Sequence, residues 1–426
     1  MCNQLLENID RVPDLDPELK KRYIGEAKVL RAYSYYELYT KFGDIPYTTK
    51  VLSIKESMSI ARTAKATVIA NVLADLDEVI NGNYLPTSYD ADNKGRITRW
   101  AAMAIKAKIY LFEGNWTQVK NITSTIMTEG GFKLFGSYAG LFEIANEYNS
   151  EVILDAQYRP TSREHQMMYV FLPPTLGGYS QLSPLQELVD SYIMLDGKTI
   201  KETGTSFDES HPYANRDPRL KATVMYTGNS YTLADGTEVV INCEKGEGKD
   251  GYGVGSGCSA TGYYIKKYWD NTYRATLYSG LNPILIRYAD ILLMNAEALA
   301  ELGELDKTAW DATIKPIRDR AGFTLASALE FPEGASKDKL IEIVRNERRS
   351  ELALEGHRHK DIIRWRIADN VLNGWCHGLK TNDVVGTDDG YVRVENRTFN
   401  ANKHYLWPIP QAERDLNGNL EQNPNW

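Results

Sequence analysis

The sequence predicts a mostly α-helical protein whose helices pair as hairpins toward both ends and leave a loop-rich middle with small strands. Three observations predict it. Apolar residues recur at helical spacing over residues 1–136 and again over 282–426. The helical segments run into glycines. Between roughly Ser137 and Leu281 glycine, proline and tyrosine rise, and the helical period gives way to short alternating runs.

The elements follow in order. "EAKVLRAYSYYELYTKFG" places Ala27, Leu30, Ser34 and Leu38 on one stripe and ends at Gly43, a residue suited to the left-handed turn that closes a helix. "DIPY" then turns the chain, and Thr63 to Ile80 carries Val68, Val72, Leu76 and Val79. "TRWAAMAIKAKIYLFEG" puts Trp100, Ala104, Ala107 and Leu111 on one face before Gly114, and "WTQVKNITSTIMTEGG" follows at once. In the middle, "ATVMYTG" and "TEVVIN" read as small strands among long loops, and loops of that length usually carry function. Helix returns with Leu285, Ala289, Leu292, Ala296 and Leu299, ends at Gly303 and restarts near Asp306, where Pro316 should kink or restart it. A helix over Lys337–Leu354 and an irregular tail complete the chain.

Two helix pairs share a pattern. "AIKAKIYLFEGNWTQV" and "AEALAELGELDKTAW" both run from an alanine-bearing helix through a glycine turn to an apolar residue that opens the next helix. Small residues let the helices approach, the glycine reverses the chain, and the next apolar side chain plugs the hairpin. This is tetratricopeptide logic, but the pairs are unevenly spaced, so the hairpins belong to one globular body and not to an open solenoid.

Composition narrows the partners. Of 426 residues, 42% are hydrophobic and 25% charged, and the net charge of −8 argues against nucleic acid or an anionic membrane as a main partner. No apolar run reaches the ~18–20 residues a membrane helix needs. The N-terminus, "MCNQLLENIDRVPDLDPELKKRY", has no apolar leader core, so the chain reads as cytoplasmic or as one that has lost its leader. Cys2, Cys243, Cys258 and Cys376 show no CxxC spacing; Cys243 and Cys258 flank a Gly-rich stretch and read either as free thiols or as a hairpin disulfide. The 27 tyrosines and 8 tryptophans concentrate partly in irregular stretches such as "GYYIKKYWDNTYRATLYSG", where flat rings with polar tips can receive a sugar.

The densest charge lies in "RRSELALEGHRHKDIIRW", from Arg348 to Trp365. An enzyme reading makes Glu351, Glu355 or Asp361 an acid/base pair assisted by His357 or His359; a metal reading takes His357, His359 and Asp361. A general acid needs a raised pKa, and crowded arginines lower it. The favoured reading is therefore a structural ionic clamp of Arg348, Arg349, Glu351, Glu355, Asp361 and Arg364, paired at helical spacing, with Arg345 interleaved.

The same stretch resembles the C-terminal signature of the SusD/RagB family of nutrient-binding outer-membrane lipoproteins, R-R-x-E-L-A-x-E-G-x-R-x-x-D-L-x-R-W. "GEAKVLRAYSYYELYTKFGDIPY", "VDSYIMLDGKTI", "YANRDPRLKATVMYTG", "IRYADILLMNAEALAELGELDKTAWDATIKPIRDRAG" and "YLWPIPQAERDLNGNLEQNPNW" resemble its other blocks, in family order and over nearly the whole chain. The resemblance implies a SusD-like, tetratricopeptide-type scaffold, one domain over 1–426 with regions 1–136, 137–281 and 282–426. It implies no chemistry and no cofactor or metal. It implies capture of a glycan or other nutrient oligomer at the cell surface and delivery to a SusC-like TonB-dependent transporter that the helical scaffold contacts. Family members carry a leader, a lipid-bearing cysteine and roughly a hundred further residues, about a small domain, before the "EAKVLRAY" helix. The chain thus reads as N-terminally truncated, lipid-anchored only in its full-length precursor, and Cys2 is not the lipidated residue. Pro316 departs from the polar residue the family more often has there.

Ligand residues follow from chemistry, not from the resemblance. Tyr268, Trp269 and Tyr273 alternate with Asp270 and Asn271 in "KYWDNTY", rings for stacking and polar groups for orientation. Tyr179 in "GGYSQ" and Arg163, His165 and Gln166 in "TSREHQ" come second. Two alternatives stand beside this reading. A helical-toroid glycoside hydrolase needs two carboxylates facing across a cleft. A cytoplasmic tetratricopeptide adaptor needs regular repeats.

Overall fold

In a computed structural model describing residues 1–253, 255–272, 276–381 and 388–426, the chain gathers into two units. The first comprises Met1–Gly131, His359–Leu372 and Phe399–Trp426, and the second Phe132–Arg358 and Asn373–Thr398.

In the first unit the long helix Pro17–Phe42 starts where Asp16 accepts the Leu19 N–H at 2.8 Å, with proline at its first position, and ends at Gly43 with φ +71°. Its buried face is Ala27, Val29, Ala32, Tyr36 and Tyr39, not the expected stripe, and Leu30 and Leu38 are 49% and 42% exposed. The reason is Arg31, which is drawn inward because Asp75 takes its guanidinium through Nη2 at 2.6 Å and Nε at 3.1 Å. The neighbouring tyrosine rings bring more area to that face than the leucines bring to theirs.

The helices Lys65–Asn81, Arg99–Phe112 and Trp116–Glu129 follow the sequence closely. Val68, Val72, Leu76 and Val79 are all buried. Gly114, at φ +71°, reverses the chain between the last two helices, and Asn115 then accepts the Gln118 N–H at 3.3 Å. Ile362, Ile363 and Ala368 pack with Phe112, Phe399 and Tyr405, while the Asn423 amide fastens the carbonyls of Phe42 (3.0 Å) and Trp407 (2.7 Å).

The second unit is built on antiparallel pairs: Val152–Asp155 with Ile284–Arg287, Val224–Met225 with Tyr264–Ile265, and Ser230–Thr232 with Glu238–Val240. Leu285 therefore belongs to a strand, and the helix expected around it begins only at Tyr288, running to Leu302 before the left-handed Gly303. The expected irregular tail holds a fourth pair, Gly374–Lys380 with Tyr391–Arg397. It lies directly on residue 261: the Leu379 N–H donates to the Thr261 carbonyl at 2.7 Å, and a Cβ on Gly378 would sit 2.5 Å from that same oxygen.

Near Pro316 the chain forms Lys307–Ala312 and then restarts as Ile314–Ala321. The proline is third in the new helix, where its missing N–H leaves no intrahelical acceptor unserved. Ser336 caps the helix Lys337–Glu351, which ends earlier than expected. The core of this unit is rich in rings: Tyr192, Tyr231, Tyr263 and Tyr264 are fully buried beside Leu220 and Val224. Cys243 and Cys258 are free thiols. Among the described residues no helix is long and apolar enough to cross a membrane.

Candidate functional site

The second unit contains a buried network of charge. Glu351 accepts from Arg287 Nη1 at 2.6 Å, from Arg219 Nη1 at 2.8 Å and from Arg320 Nη2. Glu355 accepts from Arg287 Nε at 2.7 Å and Lys267 Nζ at 2.6 Å. Glu151 takes Arg287 Nη1 at 2.7 Å and Arg320 Nη1 at 3.0 Å. Glu347 pairs with Arg318 and Arg219, and Asp217 with Arg219, all at 2.7 Å.

Arg219, Arg287, Arg318, Arg320 and Lys267 thus balance Asp217, Glu151, Glu347, Glu351 and Glu355 one for one. Burial pushes the Glu351 carboxyl up, but Arg320, Arg287 and Arg219 outweigh it and hold the group well below the usual carboxylate range. Glu347 and Glu355 are likewise lowered against burial by their cationic partners. Lys267 is pushed down to about 8, chiefly by burial.

The expected clamp residues are paired, but with other partners than the helical spacing suggested. The partners of Glu351 lie 132 and 64 residues away, at Arg219 and Arg287, because the buried end of its helix faces other segments and not its own flank. Arg348 instead meets Asp290 at 2.5 Å, and Arg349 donates to the Glu187 carbonyl. Asp361 and Arg364 pair with each other at 2.8 Å, one turn apart. The sequence reading missed Arg219, Arg287, Arg318, Arg320, Glu151, Asp217 and Lys267. For Asp217, Arg219, Arg287, Arg318 and Arg320 the signal was present in "DPRL", "IRYAD" and "IRDRAG", where charges interrupt apolar surroundings; Glu151 and Lys267 gave none of this kind.

The candidate ligand residues fall into distinct environments. Tyr268 is a core residue, 6% exposed, with its ring edge-on to Phe142 at 4.9 Å in a cluster with Tyr138, Leu281 and Ile284. It cannot serve as a stacking platform there. Asp270 is 2% exposed; its carboxylate accepts from Ser279 Oγ at 2.5 Å and the Thr272 N–H at 3.0 Å, so it ties the loop while lining, with Tyr268, the same cavity as Trp269 and Asn271.

Trp269 is half-buried, its Nε1 donating to the Thr232 carbonyl at 2.9 Å and its ring edge-on to Tyr231 at 5.2 Å. With exposed Asn271 and with Glu143 and Lys266 it lines a cavity of about 280 Å³. Tyr273 lies outside the described residues.

The second-rank residues form a ring-bearing surface. Tyr179 is 48% exposed and stacks on Tyr169 with centroids 4.6 Å apart. Arg163 lies over the Tyr158 ring at 5.2 Å, the His165 ring contacts the same ring edge-on at 4.8 Å, and Gln166 donates to the Tyr278 hydroxyl at 2.6 Å. The backbone of His165 bridges Ser279, whose hydroxyl holds Asp270, so the structure joins "TSREHQ" to the Trp269 loop.

Sequence reasoning also missed a larger cavity of about 460 Å³ in the same unit. It is walled by Tyr226, stacked on Tyr213 at 4.0 Å and 17°, with buried Arg216 bonded to backbone carbonyls.

Two family models match the chain: one described as the SusD family, over residues 141–426, and one as "Starch-binding associating with outer membrane", over residues 1–111. SusD-like protein P25 of Formosa agariphila is 28% identical over 395 residues, which are 87% of this chain and 69% of that protein. In fold the chain is similar to a SusD-like carbohydrate binding protein of Bacteroides fragilis, with a TM-score of 0.87 and 29% identity, covering 99% of this chain and 83% of the other. A second SusD-like protein of that species gives a TM-score of 0.84 at 27% identity, covering 100% and 83%.

Proposed function

The chain belongs to the SusD family, and from that premise we propose that it captures a glycan or other nutrient oligomer at the cell surface and delivers it to a SusC-like TonB-dependent outer-membrane transporter. Proteins of this family are glycan binders and not enzymes, which speaks against the hydrolase. One matching family description names association with the outer membrane, in keeping with a lipid-anchored surface protein.

The observation that carries the reading is the division between charge and rings. The acids that the enzyme reading named, Glu351, Glu355 and Asp361, are paired with cations in the interior, while Trp269 and Tyr179 keep ring surface open to solvent. A glycan laid on these rings gains stacking from Trp269 and Tyr179 and orientation from Asn271, Gln166 and Arg163. The Trp269 ring is fixed in place by its bond to Thr232, so little side-chain freedom is lost on binding.

Calorimetry against plant, host and microbial polysaccharides, with Trp269→Ala beside the parent protein, tests this. Loss of one stacking ring should weaken the bound glycan roughly fivefold. Unchanged affinity in Trp269→Ala together with loss in Tyr226→Ala would move the site to the larger cavity. Release of new reducing ends would overturn the non-catalytic reading. Co-purification of a TonB-dependent transporter with the tagged full-length protein tests delivery.

A further inference from the structure

The first unit holds a cavity of about 670 Å³ that the glycan reading does not use. It is lined by four cationic side chains, Arg62, Lys65, Arg364 and Arg366, against the acids Asp44 and Glu421. Lys65 Nζ pairs with Glu113 at 2.9 Å and lies over the Tyr39 and Phe112 rings; Arg364 pairs with Asp361 at 2.8 Å. Neither Glu113 nor Asp361 lines the cavity. Asp44 accepts the Lys65 backbone N–H at 2.8 Å, so its charge meets the positive start of the Lys65–Asn81 helix.

Arg62 and Arg366 are different. Among the described residues Arg62 bonds only neutral acceptors: the carbonyls of Asp44 (2.8 Å), Glu421 (2.9 Å) and Phe42 (3.2 Å), and the Asn423 amide oxygen (2.5 Å). Arg366 is exposed, its guanidinium lying on the Tyr405 ring at 4.0 Å, and among the described residues no carboxylate pairs with it. A second, independent observation sits in the same wall. Tyr39 is 1% exposed, and its buried hydroxyl has no hydrogen-bond partner among the described residues. Buried hydroxyls nearly always have one.

We propose that this cavity binds a tetrahedral oxyanion, phosphate or sulfate, free or esterified to a molecule of sugar size. The Arg366 guanidinium and the Tyr39 hydroxyl, beside Arg62 and Lys65 whose donors are already partly engaged, suit an anion with more acceptors than a carboxylate. The volume falls in the range of small-molecule sites, about 300–1,000 Å³. An oxyanion accepting from Tyr39 satisfies the orphaned hydroxyl and gives counter-charge to Arg62 and Arg366, which pair with no carboxylate among the described residues.

The test is calorimetry on the full chain with inorganic phosphate, inorganic sulfate and glucose 6-phosphate, in parent, Arg366→Ala, Tyr39→Phe and Trp269→Ala proteins. At least one probe should bind at one site, weaken with added salt, and bind roughly tenfold more weakly to both Arg366→Ala and Tyr39→Phe. Trp269→Ala should bind it as the parent does, which separates this site from the glycan surface. Tighter binding of glucose 6-phosphate than of either ion assigns the site to an esterified sugar, and the reverse order assigns it to the ion. Arg366 is exposed and Tyr39→Phe deletes only an unpartnered hydroxyl, so both variants should fold, as a thermal scan will report. No binding of any probe, or unchanged affinity in either variant, overturns the proposal.

Discussion

Replacing Glu351 by glutamine keeps the size of the side chain and deletes its charge in a place where Arg219, Arg287 and Arg320 converge on it. Both partners of each ion pair are almost wholly excluded from water, so solvent cannot screen the surplus positive charge that remains. Breaking a buried pair from one side costs about 3–5 kcal/mol. The glutamine oxygen still accepts one guanidinium, which places the expected loss near the lower end, about 3 kcal/mol.

For a unit of about 250 residues, the size of the second one, each kcal/mol lowers the melting temperature by about 2 °C, so Glu351→Gln should melt about 6 °C below the parent in a calorimetric scan at neutral pH. Adding Arg320→Gln removes one of the stranded cations, and the double variant should lose less than the sum of the two single losses. A melting temperature within about 2 °C of the parent, or above it, would refute the reasoning. An acid held for chemistry and not for structure behaves in that way, since relieving a functional site of its charge often stabilises a protein.

The same network sets the acid limit. The carboxyls of Glu347, Glu351 and Glu355 lie below their ordinary value of 4.5 in the folded state. Their contribution is therefore complete above the unfolded value and is lost as pH falls through the folded ones, so the urea midpoint should drop steeply below about pH 4.5. A midpoint that stays level between about pH 5 and 3 would contradict this. Gly378→Ala should lower stability by about 1–3 kcal/mol and strip hydrogen-exchange protection from the Leu379 amide, since a Cβ there meets the Thr261 carbonyl oxygen at 2.5 Å. Gly136→Ala, with nothing within 4 Å, serves as the control and should be near neutral. Thiol titration in denaturant without reductant should count all of Cys2, Cys243, Cys258 and Cys376; a count short by a pair would reveal a bridge.

How far the sequence could be read depended on what decides each element. Val68, Val72, Leu76 and Val79 announce their helix because burial of aliphatic side chains alone settles that face. The Pro17–Phe42 helix misled the reading because its inward face is carried by tyrosines and a paired arginine, residues that a count of aliphatics undervalues. Leu285 sits where two periods overlap, a strand running straight into a helix, and no turn residue marks the change. "GWCHGLK" lacks strand alternation; its place is fixed by the closeness that glycine allows at residue 261.

The acids of the clamp were legible and their partners were not, since spacing along one helix is silent about residues 132 positions away. The alternating rings of "KYWDNTY" failed at Tyr268 for a local reason. Its φ of +65° turns the backbone so that Lys267 and Tyr268 both point inward, while the Trp269 ring keeps a partly open face.

The clamp has a consequence for tolerance to change. Glu351 reaches back to Arg219 and Arg287, so the chain between those arginines is a span fastened at both ends by charge. Lengthening a flexible span is inexpensive, about 0.6 kcal/mol for each doubling. Sequence inserted at residues 233–237, the turn between Ser230–Thr232 and Glu238–Val240, therefore changes what that turn presents while the anchor points stay put. The protein is in this respect a rigid mount for interchangeable loops, and the mount is electrostatic.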